Sequence, residues 1–138
     1  MVGEHPNVFR LKGVENLTEI DIALVKAFRT VDSSYTGPKR AYVEIVSDVL
    51  LQHHALTTRK WLGGLLADLK TKGFTTLAAI NPNMHSQEDV HAILSLFEGE
   101  IRITEKETPE GTKHILKIRK LRGQKYLENE IVLAKESL

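Results

Sequence analysis

The sequence predicts an α/β fold, a mainly parallel sheet flanked by helices and finished by a C-terminal antiparallel β-hairpin. Three observations point there. From residue 8 to 98, short β-prone runs alternate with amphipathic helical stretches, the order that produces βαβ crossovers and parallel pairing. Late in the chain, EIRITEKE and HILKIRKL alternate apolar and polar residues at period two on either side of TPEG, a hairpin signal. No repeat, low-complexity tract or linker divides residues 1–138, so they are expected to form a single domain.

The elements follow in order. VFRL (8–11) reads as a short strand. In NLTEIDIALVKAFRTV, Asn16 or Thr18 can cap a helix, and Ile20, Leu24, Ala27, Phe28 and Val31 fall on one face at helical spacing. TGPKR (36–40) ends that helix. AYVEIVSDVLL (41–51) then reads as a buried strand, although Glu44 sits in its middle and Asp48 near its end. An unpaired carboxylate in a sheet core costs several kcal/mol or stays protonated. Either Glu44 points at a crevice where a cation or ligand answers it, or the run is less buried than it looks.

Thr57 or Thr58 can cap the next helix, whose buried face is Trp61, Leu62, Leu65, Leu66 and Leu69, with Gly73 as its C′ residue. Gly63 and Gly64 cost roughly 1 kcal/mol each there relative to alanine, which implies close packing against a neighbour. FTTLAAI (74–80) reads as a buried strand stopped by Pro82. Ser86 caps a helix with Val90, Ile93, Leu94 and Phe97 inward and Gly99 at its end, and EIVLA (130–134) adds a last strand after the hairpin. Ligands of such sheets sit outside the carboxyl ends of the strands. Those ends fall at Val46-Ser47-Asp48 and Ile80-Asn81-Pro82.

RAYVEIVSDVLL, TTRKWLGGLLADLKTKGFTTLAAIN and the hairpin closing on KIRKLRGQK together resemble the second half of the RecA/KaiC-like ATPase core. The resemblance spans residues 8–133 and rests on the order of the elements more than on any single motif. It implies a P-loop-NTPase half-domain with the Walker B acid at Glu44, where the family usually has Asp. It also places the family's K-x-R-G element on Lys120, Arg122 and Gly123, whose two cations reach a neighbouring subunit's γ-phosphate. Gly123 and Asn81 are the nucleotide-side positions.

The departure from the family is as informative. No G-x-x-x-x-G-K-[ST] occurs in the 138 residues; that loop's amides and lysine hold the phosphates and its Ser/Thr holds Mg²⁺. TKGFTT is no substitute, because its glycine follows a helix. The family's first strand–loop–helix unit has no counterpart, and its strand lies centrally, beside the sensor strand. Here the strands at 74–80 and 99–106 must therefore pair directly, or a partner must fill the gap. The implied function is a catalytically silent interaction or regulatory module that forms homo-oligomers or binds a partner protein through exposed apolar edges. No cofactor is expected in the isolated chain; ATP and Mg²⁺ enter only if a P-loop is supplied by the same or another chain. The alternative is a fragment of, or trans-acting partner in, an ATP-hydrolysing assembly, with Glu44, Lys120 and Arg122 catalytic.

A third reading uses the hairpin. Lys113, Lys117, Arg119, Lys120, Arg122 and Lys125 form a basic stripe suited to phosphate backbones, but Glu105, Glu107, Glu110, Glu128 and Glu130 flank it and Tyr126 is its one aromatic. The competing reading is a solvated face, as Ser47 and Asp48 are read as loop hydrogen-bonders. Net charge is +1, so no global field draws nucleic acid or membrane. With no cysteine, disulfides, thiolate catalysis and cysteine-ligated metals are excluded. His53 and His54 are adjacent and diverge, and His85 and His91 lack i, i+4 spacing. No metal site is expected. The opening MVGEHPNVFR lacks signal-peptide features and no apolar stretch is membrane-length, so a cytoplasmic protein without membrane contact is expected.

Overall fold

The computed structural model describes residues 7–134. The chain divides into two compact units, Met1–Ile93 and Leu94–Leu138. In the first, helix α1 (Leu17–Ser34) begins at Asn16, whose side chain accepts the backbone N–H groups of Thr18 and Glu19 at 3.0 and 3.3 Å. That cap satisfies donors a helix start otherwise leaves free. Ile20 on the expected inward face is buried, with Leu24, Ala27, Phe28 and Val31 half-buried. VFRL forms no strand; it has no ladder partner and its side chains are exposed.

Strand β1 (Lys39–Val43) pairs in parallel with β2 (Phe74–Ala78), from Lys39 opposite Phe74 to Val43 opposite Ala78. Helix α2 (Val46–Thr71) makes the crossover and packs on β2. The strand expected through residue 51 stops at Val43, and residues 46–51 are helical. Val46, Val49 and Leu50 are buried while Asp48 and Leu51 are exposed, the 3.6-residue period of a helix. The acids are thereby accounted for. Glu44 lies in the turn after β1 and Asp48 in the first turn of α2, both exposed.

Helix α2 is two helices joined at a kink, where His54 takes φ 64°, ψ 174°, a region that only glycine enters without cost. Neighbouring groups hold this bend. The His53 Nε2–H donates to the Val14 carbonyl at 2.7 Å, and the fully buried Thr58 hydroxyl donates across the kink to the Val49 carbonyl at 3.3 Å. Thr57 and Thr58 therefore do not cap; the helix runs through them. Gly64 is not a close-approach site, since a Cβ there would meet nothing within 4 Å. Gly73, at φ 82°, follows the C-cap Lys72 as expected.

The core of this unit is Ile20, Val46, Val49, Leu50, Trp61, Leu62, Leu65, Leu69, Val90 and Ile93. Trp61 Nε1–H donates to Asp21 at 3.0 Å, tying α2 to α1, and the Arg59 guanidinium donates to the Ala92 carbonyl. At the amino ends of the strands, Lys39 Nζ donates to Asp32 and to the Lys72 carbonyl, each at 3.2 Å, and lies 5.7 Å from the Phe74 ring centroid. Phe74 in turn tilts against Phe28, 5.5 Å between centroids. β2 is not buried throughout: Thr75 and Leu77 are exposed, in alternation with Phe74, Thr76 and Ala78. After a 3₁₀ turn (Pro82–Met84), Ser86 Oγ accepts the Asp89 N–H at 3.2 Å and opens helix α3 (Gln87–Leu94). Gly99 opens the next strand instead of closing α3.

In the second unit β3 (Gly99–Thr108) and β4 (Gly111–Leu121) form the expected antiparallel hairpin, and β5 (Ile131–Leu133) pairs with β4. Gly111 sits at φ 114° in the turn, a conformation requiring glycine. Glu100 opposes Lys120 and Ile101 opposes Ile118, so Arg119 is the extra residue of a bulge. The order β3-β4-β5 is a sheet separate from β1-β2, so β2 and β3 do not pair directly. The class is α/β as the sequence predicts, with its parallel and antiparallel strands in different sheets. Among the described residues no helix is long and apolar enough to cross a membrane.

His54→Gly removes the strain at the kink, about 1–3 kcal/mol, against a chain-entropy loss of about 0.5–1 kcal/mol. The variant is expected to be more stable by about 1 kcal/mol in urea denaturation.

Candidate functional site

Parallel pairing puts the carboxyl ends of β1 and β2 side by side, and an open cleft of about 510 Å³ lies beyond them, lined by Glu44, Ser47, Asp48, Ile80, Asn81 and Met84 among others. The ladder is extended at this end by the Ala79 N–H, which donates to the Val43 carbonyl at 2.9 Å. Ser47, buried in the first turn of α2, organises the floor. Its hydroxyl accepts the Asn81 N–H at 2.9 Å and shares a hydrogen bond with His85 Nε2, also 2.9 Å. The Asn81 side-chain oxygen accepts the Asn83 N–H at 3.1 Å, starting the 3₁₀ turn. Both strand-end loops are thus locked to each other by one hydroxyl.

Glu44 stands at the rim of this cleft, exposed and with no hydrogen bond or ion pair among the described residues. It is not a structural acid paired across the sheet. A carboxylate in that position is free to hold a water or a hydrated cation; Asp48, one helical turn on, adds a second exposed negative charge. The structure thus brings Glu44 and Asn81, read separately from the sequence, to one cleft. The Ser47–His85 contact was not legible, because the two residues are 38 positions apart and neither belongs to a recognisable motif.

The remaining candidates lie in the second unit. Lys117, Arg119 and Lys120 are on β4, with Arg119 at the bulge. Arg122 follows the strand, its N–H donating to the Glu98 carbonyl at 2.8 Å, and its side chain is exposed. Gly123 takes φ 78°, and Lys125 is exposed in the loop beyond. Tyr126 donates its hydroxyl to the Arg119 carbonyl at 3.3 Å, holding that loop to β4. Register assigns the charges to faces: Glu100, Arg102 and Lys106 of β3 lie opposite Lys120, Lys117 and Lys113 of β4. This basic face also carries Thr104 and the buried Ile115, whereas Ile101, Ile103, Leu116 and Ile118 share the other with Glu105, Glu107 and His114.

Three histidines have a defined place in the first unit. His53 is bound to Val14, His54 forms the kink, and His85 meets Ser47. Among the described residues no group of three or more His, Cys, Asp or Glu could hold a metal ion.

No family model matches the chain, and no curated protein matches it. Among solved structures, a KaiC-like protein from the hyperthermophilic archaeon Pyrococcus horikoshii OT3 is similar, with a TM-score of 0.61 and 20% identity over 83% of this chain. The chain spans 50% of that protein's length. A likeness at this identity shows the fold alone, which this chain shares with that KaiC-like protein.

Removing the central hydroxyl tests the geometry of the floor. Ser47→Ala leaves the Asn81 N–H without its acceptor and is expected to cost about 1–3 kcal/mol in chemical denaturation; His85→Ala, which leaves the Asn81 N–H bonded, costs less.

Proposed function

We propose that this chain is a RecA/KaiC-type module that works by association and does not turn over nucleotide alone. The observation that supports it most is the bare side of the β1–β2 pair. Parallel strands are stable when both faces of their sheet are covered. Yet Tyr42 and Leu77, directly opposite each other, are each 59% exposed, and Arg40 and Thr75 beside them are exposed as well. The sequence adds the missing G-x-x-x-x-G-K-[ST], without which no amide cradle and no lysine hold the phosphates of ATP.

In this reading ATP and Mg²⁺ are bound only when a phosphate loop is supplied by further polypeptide. Glu44 then positions water or holds Mg²⁺ through water. Lys120 and Arg122 serve a neighbouring subunit's γ-phosphate, a role suited to arginine's fixed charge and forked donors, and Gly123 allows the turn that presents them. The purified chain with ATP and Mg²⁺ is expected to release no phosphate above buffer. Turnover by the chain alone, abolished by Glu44→Gln while ATP binding persists, overturns the reading.

A second reading rests on the hairpin register, which gathers Arg102, Lys106, Lys113, Lys117 and Lys120 on one face. Such a face fits a nucleic-acid backbone. Here single-stranded oligonucleotide binding is expected to weaken steeply with salt. The triple variant Lys117→Ala, Arg119→Ala, Arg122→Ala then lowers affinity at least about tenfold and flattens the salt slope. Anisotropy titrations at several salt concentrations check both.

A further inference from the structure

We infer that the free edge of β3 pairs with β3 of a second copy of this chain, antiparallel about a two-fold axis through Ile103; the inference rests on the association reading above and names its partner. In the sheet order β3-β4-β5, β3 is the long edge strand and β5 the short one. Edge strands are normally blunted by proline, by bulges of their own, by shortness or by charged side chains, lysine above all. β3 has no proline, no bulge residue of its own and is not short, running from Gly99 to Thr108 with the bulge residue Arg119 on its neighbour; its only such device is charge, at Glu100, Arg102, Glu105, Lys106 and Glu107. Residues 101–107 are all exposed, with Ile101 at 52% and Ile103 at 61%. A row of unpaired amides and carbonyls flanked by exposed isoleucines is a template for another strand.

The charges on β3 choose the partner and the register. A two-fold axis perpendicular to the sheet keeps each face continuous, so it must pass through a residue or its like-facing equivalent. Centred on Ile103, the two isoleucines meet, Arg102 opposes Thr104, and Glu100 of each copy opposes Lys106 of the other. Ile101 opposes Glu105 and Gly99 opposes Glu107, the two pairs that leave a glutamate without an opposite charge. Centring on Arg102 sets arginine against arginine. Centring on Thr104 sets Arg102 against Lys106, and centring on Glu105 sets glutamate against glutamate. Centring on Ile101 matches Glu100 with Arg102 but uses only residues 99–103, against 99–107 for the Ile103 register. Opposite-charge cross-strand pairs stabilise and like-charge pairs destabilise, so the strand's own sequence admits one long self-complementary alignment. Its charges act as a register lock, not as a barrier to pairing.

A single strand pair is a small interface, so weak association is expected. Sedimentation equilibrium of the full chain at low salt, up to about 0.5 mM, is expected to show the mass rising from 15.5 kDa toward its double. Ile103→Lys, at an exposed position, is expected to abolish this while circular dichroism stays unchanged. Lys106→Glu weakens association at least about tenfold, and Glu100→Lys combined with Lys106→Glu recovers it. A wild-type chain that stays monomeric, or a dimer indifferent to Ile103→Lys, overturns the inference. Dimerisation that survives Lys106→Glu overturns the register. None of these outcomes bears on phosphate release, so failure here is distinguishable from failure of the proposed function.

Discussion

Parallel pairing of β1 with β2 is the constraint from which the candidate site follows. Two strands running the same way cannot be joined by a tight turn; the chain must travel back over the sheet, and α2 is that return. The consequence is that Val43 and Ala78 finish at the same end, so the turns after them, carrying Glu44 and Asn81, meet. Nothing in either turn needs to seek the other. A single hydroxyl, that of Ser47, then suffices to fix their spacing.

Much of this was legible in the sequence because local chemistry and tertiary structure agree. Asn16, Ser86, Gly73 and the TPEG turn mark boundaries through capping or backbone conformation that no distant contact has to rescue. The boundary at Val43 is of another kind. Residues 41–51 pass from strand to helix without glycine or proline, and a continuous apolar run hides which period it obeys. Only burial of Val46, Val49 and Leu50 against exposure of Asp48 and Leu51 separates the two. The kink at His54 is less legible still, since a non-glycine residue at positive φ is held there by partners remote in sequence, Val14 reaching its neighbour His53.

For the site, the strand end expected at Val46-Ser47-Asp48 lies three residues earlier, at Val43, with Ser47 and Asp48 already in α2, and the contact between loops was not legible. The acid that makes AYVEIVSDVLL odd as a buried strand turns out to be a boundary residue exposed to solvent. Its polarity is compatible with the fold because the strand is already over. Among the exposed apolar residues, Tyr42 and Leu77 form a cross-strand pair on the parallel strands and Ile101 and Ile103 a like-facing pair on the hairpin. Scattered exposed hydrophobic residues are ordinary; cross-strand or like-facing pairs on regular strands are a different matter, because they present flat, ordered surface with little entropy to lose on being covered.

The two ends of the β1–β2 pair are fastened unequally. At the amino ends, Lys39 draws together the tail of α1 through Asp32, the last carbonyls of α2 through Lys72, and the Phe74 ring. At the carboxyl ends, the Ala79 N–H on the Val43 carbonyl and the Ser47 hydroxyl carry the linkage. The amino-end fastening therefore draws on a side-chain cation, a carboxylate, a carbonyl and a ring, whereas the end that carries Glu44 is closed by hydrogen bonds alone.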